Sequence, residues 1–109
     1  MTKPPYQIVI EDNGADRLYV FQLADWDCKL SPDQAAELAC RIEDAIAGTP
    51  KGEVYNHQGQ KITVWRNQQR IALDFSSPHS DQYTIGTGDG LTRVQANKLS
   101  RDLRAFAEG

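Results

Sequence analysis

The chain has 109 residues, enough for one domain and too few for two. Apolar residues make up 39% and charged residues 25%, the balance of a chain that folds around a core rather than one that stays disordered. Twelve basic against fifteen acidic residues give a net charge of −3, which argues against a domain that grips duplex DNA through bulk charge, since such domains are basic.

No apolar run approaches the roughly 18 residues of a membrane span. The opening MTKPPYQ lacks the apolar core of an export signal. The expected compartment is the cytoplasm, and Cys28 and Cys40 are expected as reduced thiols, since a disulfide framework in a small secreted domain uses four cysteines or more.

In chain order, Tyr6–Ile10 and Arg17–Leu23 read as two strands joined by EDNGAD, where Asn13-Gly14 is a strong hairpin signal because both residues tolerate positive φ. LSPDQAAELACRIEDAI, from Leu30, reads as a helix. Ser31-x-x-Gln34 forms a capping box, Pro32 sits where no donor is lost, and Gly48 and Pro50 end the element. Four strands follow, at Glu53–Asn56, Lys61–Arg66, Arg70–Phe75 and Gln82–Thr87, with the turn-like connections HQGQ, NQQ and SSPHSD. LTRVQANKLSRDLRAFA, from Leu91, is the second helix, with its own capping box at Thr92-x-x-Gln95.

The two helical segments match at an offset of 61 residues. Leu30, Gln34, Ala35 and Leu38 recur as Leu91, Gln95, Ala96 and Leu99. Residues 1–48 and 53–109 are therefore two candidate related halves within a single domain spanning 1–109. Their charges differ: four basic against nine acidic residues give −5 in residues 1–50, and eight against six give +2 in residues 51–109. Oppositely charged helices of this kind can lie side by side.

The order β-β-α-β-β-β-β-α with short connections favours antiparallel pairing. Two amphipathic helices, each with one apolar stripe, need a layer to cover. The expected fold is α+β and two-layered, with both helices packed on one face of an antiparallel sheet.

Alternation assigns the faces. Ile62, Val64, Ile71, Leu73 and Phe75 point to the helices, with Tyr83 and Ile85. Leu18, Val20 and Trp65 point away, beside Lys61, Thr63 and Arg70. An apolar patch rimmed by polar groups on a small domain marks an interaction surface, and Trp and Arg are frequent anchors of binding energy. The expected function is a non-catalytic interaction protein that binds a protein partner or itself as a homodimer through this face, as a phage or mobile-element inhibitor or a regulatory adaptor would.

A second reading follows from topology. The four-strands-then-helix layout of the second half resembles the unit of the Whirly, PUR and positive-cofactor-four proteins. That resemblance implies single-stranded nucleic-acid binding, with Trp65 stacking a base while Lys61 and Arg70 hold phosphates; the acidic total weighs against it. A third reading is a small enzyme with a site across a dimer interface, using Asp25, Asp27 and His57.

Other chemistry finds less support. Cys28, Cys40, His57 and His79 lack the spacing that places two metal ligands on one turn, so no metal or cofactor is expected. His79-Ser80 has no nucleophile signature around it. GTGDG at 86–90 lacks the lysine of a phosphate-binding loop, and Asp89 would repel an anion.

Overall fold

The computed structural model describes residues 7–13, 16–23, 26–67, 70–78, 80–85 and 91–109. Among the described residues nine elements are formed: β1 (Gln7–Asn13), β2 (Asp16–Gln22), β3 (Asp27–Leu30), α1 (Pro32–Ala47), β4 (Lys51–Tyr55), β5 (Lys61–Asn67), β6 (Arg70–Ser77), β7 (Ser80–Ile85) and α2 (Arg93–Glu108). The α+β class, the antiparallel pairing and the two helices are as expected. Two points differ. A third strand, β3, precedes α1, and the strands hydrogen-bond as two sheets, β1-β2-β3 and β4-β5-β6-β7, rather than one. The Gly14 of the expected hairpin turn, Asp25, His79 and the GTGDG stretch lie outside the described residues.

β3 is short, and its period of two is its signature: Cys28 and Leu30 are buried while Asp27 and Lys29 alternate outward. It folds back on β2, with Phe21 opposite Cys28 and Tyr19 opposite Leu30. Between the two strands the Leu23 N–H donates to the Trp26 carbonyl at 3.0 Å.

Both helices start as their sequences dictate. The Gln34 N–H donates to Ser31 Oγ at 3.3 Å and the Ser31 N–H to Gln34 Oε1 at 3.0 Å. At α2 the matching distances are 3.1 Å and 2.9 Å, through Thr92 and Gln95. α1 ends at Gly48, whose φ of 121° disfavours a side chain. The Gly48 and Thr49 N–H groups donate to the carbonyls of Ala45 and Asp44, so two carbonyls of the last turn are satisfied. α2 ends beside Arg17, which donates to the Phe106 carbonyl at 3.2 Å and lies 4.9 Å from the centre of its ring. A cation belongs at that end of a helix dipole.

One core unites the layers. α1 contributes Ala35, Leu38, Ala39, Ile42 and Ala45, and α2 contributes Ala96, Leu99, Leu103 and Phe106. The first sheet adds Tyr19, Phe21, Cys28 and Leu30, and the second adds Val54, Ile62, Val64, Leu73 and Phe75. Phe21 and Phe75 meet across the two sheets at 5.1 Å, and Tyr19 meets Phe106 of α2 at 5.4 Å. Aromatic pairs at these separations gain beyond simple burial. Tyr83 and Ile85 stand opposite Phe75 and Leu73 in the β6–β7 register.

The contrasting helix charges meet within the chain. Arg104 Nε and Nη2 donate to the two carboxylate oxygens of Glu43 at 2.6 Å and 2.5 Å. The partners are 61 residues apart, the offset of the sequence match. They thus stand at equivalent positions of the two helices. The hydrogen bonds from Arg104 hold the Glu43 carboxyl below the usual carboxylate range. A lowered native value means that the pair's stabilisation is present above the ordinary carboxyl pKa and is lost as pH falls through the native one. The pair is half-exposed, so the effect is small. On acidification below about pH 4.5, the carboxyl's ordinary value, the melting temperature should fall further for the wild type than for Glu43→Gln. Equal falls, followed by circular dichroism, would remove the pair from the pH response.

Candidate docking surface

The side of β4–β6 turned from the helices carries Lys51, Glu53 and Tyr55, then Lys61, Thr63 and Trp65, then Arg70, Ala72, Asp74 and Ser76. The register fixes their neighbours. Trp65 stands between Lys51 and Ala72, and Thr63 between Glu53 and Asp74. The Trp65 indole N–H donates to Asp74 Oδ2 at 2.8 Å, which holds the ring against the sheet. Thr63 and Ala72 are buried beneath their longer neighbours. At the end of the row, the Tyr55 hydroxyl donates to Glu53 Oε2 at 3.0 Å, and this bond to a carboxylate raises the phenol's pKa.

These side chains border an open groove of about 530 Å³, lined by Pro50, Lys51, Lys61, Thr63, Trp65, Asp74 and Ser76. Lys61, Thr63 and Trp65 of the expected site are therefore brought together. Arg70 shares their face by strand alternation but lines a different cavity of about 410 Å³, beside Arg66 and Arg93. Alternation along the strand Arg70–Phe75 already sets Asp74 on this face, although not as a site residue, whereas Pro50, Lys51 and Ser76 were missed by sequence reading. The same alternation would have added Lys51 had β4 been started two residues earlier, and Ser76 had β6 been run past Phe75.

The expected joint patch of Leu18, Val20 and Trp65 is not formed. Leu18 and Val20 belong to the other sheet, and Val20 is only 1% exposed. An ion pair spans this side of β2. Val20 stands opposite Lys29 of β3, and Leu18 opposite Glu11 of β1. Lys29 Nζ reaches Glu11 at 3.6 Å, so the lysine stem crosses β2 and shields its outward side.

Of the residues considered for catalysis, Asp27 and His57 are described, and neither lines this groove. Asp27 begins β3 and His57 lies in the turn after β4, both exposed. Cys28 is buried, and burial pushes its thiol up to about 12, which leaves it protonated at neutral pH and without nucleophilic character. Cys40 is exposed on α1, with Arg104 Nη2 at 3.4 Å from its sulfur. Among the described residues, no three His, Cys, Asp or Glu side chains gather as metal ligands would, and no helix is long and apolar enough to cross a membrane. No family model, curated protein or solved structure matches the chain.

Proposed function

We propose that this protein is a non-catalytic binding module that docks a protein partner in the groove on the helix-free side of β4–β6. The observation that carries this reading is Trp65, a large ring held by Asp74 in a concave surface with a lysine at each end. A preset aromatic side chain meets a partner at little entropic cost. Binding energy concentrates on such anchors, which sit within a rim of near-neutral contacts. The rim is mixed in sign, with Lys51 and Lys61 against Glu53 and Asp74. That mixture suits a protein segment, whereas the two carboxylates oppose a chain of phosphates. The two free cysteines suit a reducing compartment, so the cytoplasm is where we expect the module to act.

Trp65→Ala should weaken partner binding by about tenfold or more, the size of effect seen at anchor residues, while the melting temperature stays close to wild type. Affinity capture with both variants, followed by titration of the captured protein, measures this. Equal retention and equal affinity would overturn the reading. The same titration with a single-stranded oligonucleotide at low and high salt separates the nucleic-acid alternative: binding that needs Trp65 and collapses with salt would assign the groove to a phosphate chain instead.

A further inference from the structure

We infer that β1 is a self-association edge, and that its occupant is β1 of a second copy of this chain. The observation is a break in burial across one strand spacing. Ile8 and Ile10 stand opposite Phe21 and Tyr19, which are 0% and 2% exposed, yet Ile8 and Ile10 are themselves 36% and 51% exposed. They occupy the core-facing side of the first sheet, which extends one strand past its helix cover.

Native sheets blunt their edges with charge, proline, short strands or bulges. The other edges here have such devices. β3 has four residues, and Asn56 Nδ2 donates to its Lys29 carbonyl at 3.1 Å. β4 follows Pro50 and carries Lys51 and Glu53. The β6–β7 ladder breaks register between Phe75 and Ser77. β1 pairs with β2 through seven uninterrupted positions, and its charges, Glu11 and Asp12, fall at its far end, so that Gln7–Ile10 is a stretch without charge or proline.

The strand is also its own complement. In an antiparallel pair with a two-fold axis at Val9, Ile8 stands opposite Ile10 of the second copy, Val9 opposite Val9, and Gln7 opposite Glu11. No like charges meet. The two Ile8–Ile10 strips join on the face that carries both cores, so the sheets merge into six strands with the helices on one side. A register shifted by one residue would set each apolar strip against the other copy's outer face. The contact is small, in the class below about 1,200 Å² that gives weak, reversible complexes.

Sedimentation equilibrium of the full chain from low micromolar to several hundred micromolar should show a monomer–dimer equilibrium. Ile10→Asp should weaken it at least tenfold without altering the circular dichroism spectrum. Val9→Cys combined with Cys40→Ser should oxidise to a covalent dimer, whereas Asp102→Cys in the same background should not; this trap reports the register even where Ile10→Asp fails to fold. A wild type that stays monomeric throughout, whether because residues 1–6 or a foreign strand occupy the edge, overturns the inference. So does a dimer that survives Ile10→Asp or is not trapped through residue 9. Trp65→Ala should leave the dimer intact, so failure here and failure of the proposed docking groove are told apart.

Discussion

Phe21→Ala should lower the unfolding free energy by about 3–5 kcal/mol, the range for truncating a buried phenylalanine. Phe21 is fully buried and contacts Tyr19 within its own sheet and Phe75 in the other. Removing the ring leaves a cavity where the two sheets meet, and neither can collapse into it without pulling away from α1. Urea unfolding followed by circular dichroism measures the change. A loss under about 1.5 kcal/mol, the range of a conservative core swap, would mean that the sheets do not share a core.

Asn56→Ala should cost about 2–3 kcal/mol by the same measurement, since a buried group left without its partner costs roughly 1–3 kcal/mol. Asn56 is a buried polar residue that ties β3 to the turn after β4. Its amide nitrogen donates to the Lys29 carbonyl at 3.1 Å and to Gln60 Oε1 at 2.7 Å, and its amide oxygen accepts from the Gln58 and Gln60 N–H groups. Asn56→Asp keeps the two acceptor bonds but sets a buried carboxylate oxygen against the Lys29 carbonyl and Gln60 Oε1, so it too should be clearly less stable than wild type. Were Asn56→Asp as stable as wild type, the link to β3 would contribute nothing.

The parts of this fold that were legible in the sequence are those written locally. The caps at Ser31 and Thr92 and the stops at Gly48 and Pro50 lie within a turn of what they control. The alternation of Ile62–Val64 and of Ile71–Leu73–Phe75 is settled strand by strand. Lys61, Thr63 and Trp65 share a face for the same reason. What was illegible depends on partners distant in sequence. DCKL is too short to declare itself, and it becomes a strand only because β2 offers an edge. That omission led to the next error, because the missed strand sets Lys29 beside Val20 and leaves Leu18 and Val20 in a sheet apart from Trp65. Whether β3 and β4 would join into one sheet could not be read from either strand alone. Asn56 looked like an ordinary strand-end residue, and its role is set by where the Lys29 carbonyl arrives.

The contact between Glu43 and Arg104 has a consequence for how the two helices recognise each other. Because it joins equivalent positions, two copies of α1 packed in this geometry would set glutamate against glutamate, and two copies of α2 arginine against arginine. The attraction exists only while the two helices differ there. Exchange of a helix between molecules would therefore preserve the α1–α2 combination and select against like with like, so this one position favours correct assembly over its nearest mimic.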